Sequence, residues 1–68
     1  MTKSYFTLFC REENGIWSPQ FGDYVRSVVS DEARDSYSQY KSKDRKIVKH
    51  EDDTDSITRE IIRLNGQD

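Results

Sequence analysis

A turn signal lies between two apolar and aromatic runs in the first third of the chain. The runs cover residues 4–10 and 16–21, and Asn14-Gly15 separates them. Asn-Gly is favoured in type I′ turns, in which both central residues need a positive φ angle. The sequence therefore predicts a β-hairpin that reverses at Asn14-Gly15, and this feature constrains the fold more than any other.

Pairing around this turn determines which side chains share a face of the hairpin. If Glu13 opposes Ile16, the two-residue period of a strand groups the side chains into two sets. The first set is mainly apolar and is expected to form the core: Phe6, Leu8, Cys10, Trp17, Pro19 and Phe21. The second set is expected to lie on an open face: Tyr5, Thr7, Phe9, Arg11, Ser18 and Gln20. Because Pro19 has no N–H group, the second strand is expected at an edge of the sheet.

Two helices are predicted by apolar residues at helical spacing. The first helix covers residues 24–37 if Asp23 is its N-cap, and it begins later if Ser30 is the N-cap. Its apolar stripe consists of Val25, Val29, Ala33 and Tyr37. The second helix covers residues 56–65, with Thr54 or Asp55 as its cap. Its apolar stripe consists of Ile57, Ile61 and Leu64, and Ile62 widens it.

A short third strand is predicted at residues 45–50. Its facing stays open, because each parity carries one aliphatic residue, Ile47 or Val48. The element order is then ββαβα, and a right-handed crossover from the second strand puts the third strand beside the first. We expect a single α+β domain of two layers. Its three-stranded antiparallel or mixed sheet has the order 2-1-3, with both helices on one face and the other face open.

The composition limits the classes of protein to which the chain can belong. One cysteine and one histidine in 68 residues allow neither an intrachain disulfide nor a Cys/His zinc set within the chain. Charged residues make up 35% of the chain, but the net charge of −2 gives no strong attraction to nucleic acid or membrane. The sequence shows neither a membrane span nor a secretory signal, so we expect a cytoplasmic protein. At this size, a second copy of the chain is one way to complete the core.

The residue types that carry catalysis or bind metals form no recognisable motif. Cys10 lies in the middle of an apolar strand, and His50, the one candidate base, lies on another strand. The acidic residues Asp52, Asp53 and Asp55 lack the ligand spacing and the glycine of a calcium loop. The three glycines lie at separate turns and form no phosphate-binding loop. We therefore expect no enzymatic activity, no metal and no cofactor.

A binding function explains the open face better. Aromatic rings are typical of interface centres, and Tyr5 and Phe9 would lie there beside Arg11. The residues predicted to contact a partner protein are Tyr5, Phe9, Arg11, Gln20 and Lys46 on the sheet, and Glu51, Asp52 and Asp53 in the acidic loop. A second copy of the chain is an alternative partner for the same face.

Single-stranded nucleic acid is the alternative ligand of this face. Aromatic rings beside basic side chains can stack on bases. The third strand and the residues before it are rich in basic side chains: Lys41, Lys43, Arg45, Lys46 and Lys49. However, the chain has 13 acidic and 11 basic residues, whereas phosphate binding needs a clustered basic surplus. Protein binding is therefore the preferred hypothesis.

Three stretches of the chain resemble a known group of proteins. Residues 5–12, 17–24 and 46–49, which read YFTLFCRE, WSPQFGDY and KIVK, are similar to small uncharacterised proteins encoded by tailed bacteriophages. The resemblance covers most of the chain but includes no catalytic motif, so no functional residue is carried over. Arg45 departs from the group, in which an apolar residue is expected. The resemblance implies a protein that inhibits or redirects a host component, such as a defence or transcription protein, in the host cytoplasm.

Overall fold

The structure, a computed structural model, describes residues 3–66, which form three strands and two α-helices. In chain order they are β1 (Ser4–Arg11), β2 (Trp17–Asp23), α1 (Arg26–Ser36), β3 (Arg45–Glu51) and α2 (Thr54–Asn65), with a 3₁₀ turn at Ser42–Asp44 before β3. The strands pair antiparallel in the order β2-β1-β3, so the sheet is open, with β2 and β3 at its edges. The predicted α+β class, ββαβα alternation and order 2-1-3 are confirmed. No helix within residues 3–66 is long and apolar enough to cross a membrane.

The hairpin forms at the predicted place but with a different turn. Within residues 3–66 Gly15 alone has a positive φ angle, of 84°, whereas a type I′ turn also needs one at Asn14. The amide of Glu12 donates to the carbonyl of Ile16 at 2.9 Å, and the amide of Gly15 donates to the carbonyl of Glu12 at 2.9 Å. Glu12 therefore opposes Ile16 across a three-residue loop, and the prediction that Glu13 opposes Ile16 is wrong.

A shift of one residue in the turn moves the start of β2 to the other face of the sheet. Trp17 is paired with Arg11, and Pro19 is paired with Phe9. Directly paired residues of antiparallel strands point to the same side. Trp17 and Pro19 therefore lie on the face of Phe9 rather than on the predicted face.

A β-bulge in β2 restores the predicted pairing beyond it. Leu8 is paired with Phe21 although Phe9 is paired with Pro19, so Gln20 is an extra residue in β2. Phe21 therefore lies on the same side as Leu8, as predicted. The predicted edge position of β2 is also confirmed by the strand order.

The two helices cover opposite faces of the sheet. The buried cluster on the α1 face consists of Leu8, Cys10, Val29 and Ala33. The buried cluster on the α2 face consists of Phe9, Trp17 and Leu64. The prediction that both helices lie on one face is therefore wrong. The physical reason is that β1 carries large apolar side chains on both sides, and each side needs its own cover.

β3 contributes one aliphatic side chain to each of these clusters. Ile47, opposite Leu8, packs against the cluster on the α1 face. Val48, opposite Thr7, packs against the cluster on the α2 face. The sequence left the facing of this strand open because Ile47 and Val48 have opposite parity. That pattern is typical of a strand with cover on both faces.

α1 begins between its two predicted starts. Its first residue is Arg26, and Val25 is the N-cap without a side-chain hydrogen bond. Asp23, two residues before the N-cap, accepts a hydrogen bond at Oδ1 from the amide of Val25 at 2.9 Å. Val25 is 51% exposed, so the buried stripe of α1 starts at Val29 and not at Val25.

α2 begins two residues before its predicted start because a different residue caps it. Asp53, rather than Thr54 or Asp55, accepts a hydrogen bond from the amide of Ser56 at 2.6 Å. This is the usual N-cap geometry, in which a carboxylate satisfies a free amide of the first turn. At the other end of the helix Ile62 is exposed, so it does not widen the buried stripe as predicted.

We predict that Phe9→Ala unfolds most of the protein. Phe9 is fully buried, and truncation of a buried Phe costs about 3–5 kcal/mol. That loss is roughly the whole net stability of a domain of this size, about 3–5 kcal/mol. Urea denaturation followed by circular dichroism measures the effect. The control is Ile62→Ala, since Ile62 is 65% exposed and its truncation should change the free energy of unfolding by less than about 0.5 kcal/mol. A Phe9→Ala variant as stable as this control would contradict the packing of α2.

Candidate functional site

α2 covers the sheet face on which a partner was expected to bind. Phe9, the centre of the predicted contact, has no exposed surface and packs with Trp17 and Leu64. Ile57 and Ile61 of α2 also pack against this cluster. The expectation that Phe9 lies on an open face is therefore wrong. The apolar stripe of α2 needs an apolar surface, and α1 already occupies the other side of the sheet.

Arg11 and Lys46, two further predicted contact residues, lie over the ring of Trp17. The guanidinium carbon of Arg11 is 5.3 Å from the ring centroid, and Lys46 Nζ is 5.2 Å from it. Both distances are suited to cation–π attraction. Arg11 also donates from Nε and Nη2 to Asp44 Oδ1, at 2.8 and 2.5 Å. These two side chains therefore shield Trp17, and the charge of Arg11 is balanced within the chain.

Tyr5 is half-buried by its neighbours at the far end of the sheet. Its ring meets that of Tyr24 edge-on, with centroids 4.9 Å apart, and lies 5.7 Å from the ring of His50. On β2, a Cβ atom at Gly22 would lie 2.5 Å from the Tyr5 ring, so a larger residue there would displace the ring. Tyr24 is 51% exposed and is the more accessible ring at this end.

Gln20, the bulged residue of β2, belongs to a hydrogen-bond network inside the chain. Its Nε2 donates to Glu12 Oε1 at 3.2 Å and to Ser18 Oγ at 2.9 Å. The hydroxyl of Tyr40 donates to both carboxylate oxygens of Glu12 at 2.9 Å. That hydrogen bond raises the pKa of Tyr40 above its ordinary value. The network ties the hairpin to the connection between α1 and β3.

The acidic loop is accessible but serves the fold as well. Glu51 and Asp52 are exposed, and Asp52 accepts a hydrogen bond from the hydroxyl of Tyr24, which raises the pKa of Tyr24. Asp53 caps α2, and the hydrogen bond from the Ser56 amide lowers the pKa of Asp53 below the ordinary carboxyl value. Within residues 3–66 no three acidic, cysteine or histidine side chains converge to hold a metal ion.

Cys10 and His50 do not form a nucleophile and base pair. Cys10 lies in the cluster on the α1 face. His50 is two residues from Val48 along β3, so its side chain lies on the opposite, α2 face of the sheet. Burial, with a smaller contribution from a neighbouring carboxylate, raises the pKa of Cys10 to about 11. The thiol is therefore protonated at neutral pH, and His50 is not beside it.

A groove of about 460 Å³ runs between α1 and β3 on the α1 face of the sheet. We call it the arginine groove, and it is lined by Leu8, Arg26, Ser30, Ala33, Arg34, Ser42, Arg45 and Ile47. Three of these residues are arginines and none is acidic, in a chain whose net charge is −2. The groove is therefore a concentrated basic site in a slightly acidic protein.

Regular helical spacing forms one wall of the arginine groove, and the start of β3 forms the other. Arg26, Ser30 and Arg34 are four residues apart and make one row along α1. From β3, Arg45 Nη1 donates to the carbonyl of Ala33 at 2.7 Å. This carbonyl belongs to the last turn of α1, where carbonyls lack helical partners. Arg45 therefore also holds the helix and the strand together.

The three guanidinium groups differ in how much of their charge is balanced. Arg34 donates to Asp31 Oδ1 at 2.9 Å, and its Nε lies 3.7 Å from Asp35 Oδ1. Both carboxylates are more than 60% exposed, so each attraction is weak. Arg26 forms no ion pair with any residue between 3 and 66. Arg45 Nε is buried and has no acceptor in the part of the chain that the structure describes. Arg26, which is exposed, thus offers the most accessible hydrogen-bond donors to an anion.

Sequence reasoning missed this groove, although part of its signal is visible in the sequence. The spacing of Arg26, Ser30 and Arg34 predicts a polar row along a helix. Arg45 was noted as a departure from the phage group and as one of the basic side chains of the nucleic-acid alternative, but not as part of a groove. The sequence did not show that β3 would lie beside that particular row of α1.

Comparisons with known proteins add no name to this site. No protein-family model matches the sequence. Searches of curated proteins and of solved structures found no significant match either.

We predict that the contribution of Asp53 to stability depends on pH. Its pKa is lower in the folded protein than the ordinary value of 3.8, so the ionised cap stabilises α2 above that pH. The contribution is lost as the pH falls through the folded value. Asp53→Ala should therefore lower the melting temperature more at pH 7 than in acid below the folded pKa of Asp53. Asp53→Asn is the control, because asparagine caps a helix without titrating. An equal loss for Asp53→Ala at both pH values would contradict this prediction.

We also predict that the Cys10 thiol reacts slowly in the folded protein. The side chain is fully buried, and with a pKa of about 11 roughly one thiol in a thousand is ionised at about pH 8. Ellman's reagent should modify the protein in urea about a hundredfold faster than the folded protein, because unfolding exposes the thiol and restores its ordinary pKa. Free cysteine in both solutions controls for the effect of urea. Rapid labelling without urea would contradict the burial of Cys10.

Proposed function

We propose that the chain is a small, non-enzymatic binding protein of the phage-encoded type that acts in the cytoplasm of a host cell. It inhibits or redirects a host macromolecule, such as a defence or transcription protein, by occupying part of its surface. The arginine groove is the binding site, and acidic side chains of a partner protein are its ligands. The observation that carries this proposal is a lining with three arginines and no carboxylate.

The chemistry of the groove suits carboxylates. A guanidinium can donate two parallel hydrogen bonds to one carboxylate, which gives both strength and orientation. The floor of the groove is apolar, formed by Leu8, Ala33 and Ile47. Charge attraction is stronger beside an apolar surface than in open water, because the effective dielectric constant is lower there. An acidic segment that reaches the floor is therefore bound more tightly than one that stays at the rim.

The proposal of a phage origin and of a cytoplasmic compartment rests on the sequence. Residues 5–12, 17–24 and 46–49 carry the resemblance to phage proteins. Short phage proteins without enzymatic motifs often act by binding a host protein, and this association is the reason for proposing a host partner. A lone, buried thiol fits a reducing cytoplasm.

The predicted contact residues on the sheet have a smaller part in this function than expected. Phe9 is buried, and Arg11 and Lys46 are engaged with Trp17. The exposed carboxylates of the acidic loop are still available for a second contact, with a basic part of the partner.

Single-stranded nucleic acid is the second candidate ligand, because arginines also bind phosphates. Stacking of bases needs accessible rings, but Phe9 is buried and Tyr5 is half-covered. The net charge of −2 also opposes a polyanion along the rest of the surface. A protein partner is therefore preferred.

A double variant, Arg26→Ala with Arg34→Ala, tests the groove. The probe is a short fluorescein-labelled peptide in which glutamate and threonine alternate, and fluorescence anisotropy at low salt measures its binding. Loss of two guanidinium groups should raise the dissociation constant about tenfold or more. The affinity of the unaltered chain should also fall with added salt, because salt screens exposed charges.

The matched control is Lys41→Ala with Arg63→Ala. It removes the same charge from two residues that line neither the arginine groove nor the surface beside Lys49, and it should change the dissociation constant less than about twofold. An equal loss in both double variants would indicate non-specific attraction and contradict the proposal, as would no peptide binding at low salt. Tighter, groove-dependent binding of labelled oligothymidylate than of the peptide would favour the nucleic-acid candidate instead.

A further inference from the structure

We infer that the partner binds as an added β-strand: an extended acidic segment of a protein pairs with the free edge of β3 and directs its acidic side chains into the arginine groove. This inference rests on the proposed function, because it specifies how the same groove is filled. The two edges of the sheet differ in whether their backbone N–H and C=O groups can pair with a further strand.

The outer edge of β3 carries backbone groups without partners in its middle, at Ile47 and Lys49. On either side of them the amide of Arg45 donates to the carbonyl of Ser42, and the carbonyl of Glu51 accepts from the amide of Asp53. The amide of Asp52 donates to the carbonyl of Lys3 at 3.1 Å, which identifies this pair as hydrogen-bonded in the antiparallel ladder. By alternation, the even-numbered residues of β3 direct their N–H and C=O groups toward β1. Ile47 and Lys49 direct theirs outward, and no loop or side chain within residues 3–66 hydrogen-bonds to them there. This edge can therefore accept a further strand.

The outer edge of β2 is blocked at three positions, Trp17, Pro19 and Gln20. The amide of Trp17 donates to Asn65 Oδ1 at 2.6 Å, and Asn65 Nδ2 donates to the carbonyl of Trp17 at 3.0 Å. Pro19 has no N–H group to offer. Gln20 forms the bulge, which breaks the regular spacing of the edge. Only β3 is therefore suited to strand addition.

The free edge and the arginine groove are parts of one surface. Arg45 and Ile47 line the groove and belong to β3, and the row that starts at Arg26 lies beside them on α1. Side chains of a strand point alternately to the two faces of a sheet. A strand added to β3 therefore directs every second side chain toward the α1 face, where the arginines are. The matching segment is extended and acidic at alternate positions.

Two other occupants fit this surface less well. A second copy paired antiparallel at the same edge would bring two arginine grooves together on one side of the joined sheet, and like charges disfavour that contact. A nucleic acid can contact the arginines, but it lacks the alternating N–H and C=O groups that complete a β-ladder. An acidic polypeptide satisfies both the charge and the backbone.

The sharpest variant is Lys49→Pro, compared with Lys49→Ala. Both remove the same charge, but only proline removes the outward N–H group. The substitution is compatible with an edge strand, where β2 already carries Pro19, and urea denaturation checks that both variants fold. Binding of the alternating glutamate–threonine peptide should be at least about tenfold weaker in Lys49→Pro than in Lys49→Ala. Equal binding by two folded variants would overturn strand addition.

A second measurement leaves the protein unaltered. Two versions of the same peptide carry N-methyl groups on alternate residues, one version on the glutamates and the other on the threonines. An added strand donates hydrogen bonds to β3 from the N–H groups of alternate residues only, which are either all glutamates or all threonines in this peptide. One methylated peptide should therefore bind as the parent does, and the other should bind at least about tenfold more weakly. Equal binding of the two would overturn strand addition even if Lys49→Pro fails to fold.

The failure of this inference can be told apart from failure of the proposed function. If both methylated peptides bind equally and binding still depends on Arg26 and Arg34, the groove binds acidic segments without strand addition. If the parent peptide does not bind at low salt, both proposals are wrong. A molar mass in solution of twice that of the chain, abolished by Lys49→Pro but not by Lys49→Ala, would assign the edge to a second copy and overturn the inference.

Discussion

Residues 7–10 of β1 are buried one after another, and a strand with no exposed side needs cover on both faces. α1 covers Leu8 on one side, and α2 covers Phe9 on the other. In a chain of 68 residues, this arrangement divides the apolar side chains between two small clusters instead of one larger core. Each cluster depends on one helix, and both helices depend on β1. Loosening either face of β1 therefore weakens the support of the whole sheet.

β2 supplies a large ring to both clusters because its register changes along its length. The loop that ends at Gly15 puts Trp17 on the side of α2, and the bulge at Gln20 returns Phe21 to the side of α1. Trp17 and Phe21 have the same parity, so a regular strand would direct both rings to one face. The other cluster would then lack a ring from β2. The same bulge interrupts the outer edge of β2, so one irregularity fills two clusters and also hinders the pairing of a further strand.

The hairpin and the two helices could be predicted because each depends on local patterns. The strand order could be predicted because a right-handed helical crossover from β2 puts β3 beside β1. The facing of the side chains could not. Asn14-Gly15 fits a two-residue loop and also a longer loop whose last residue is glycine, and this difference of one residue decides the side on which Trp17 lies. Without Trp17 beside it, Phe9 was predicted to be exposed. The arginine groove could not be predicted either, since tertiary packing alone brings Arg26 near Arg45.

The basic side chains beside β3 have consequences for selectivity as well as for affinity. An unpaired strand edge promotes self-association, and charged side chains such as those of Lys46 and Lys49 oppose it by repulsion between copies. An acidic strand is not repelled by these lysines, and the arginine groove beside the edge attracts it. On the proposed function, the same charges thus exclude copies of the chain and admit an acidic segment, so repulsion contributes to specificity together with attraction. Because the net charge is only −2, the attraction stays local. Only a segment that reaches both the edge and the groove gains the full interaction.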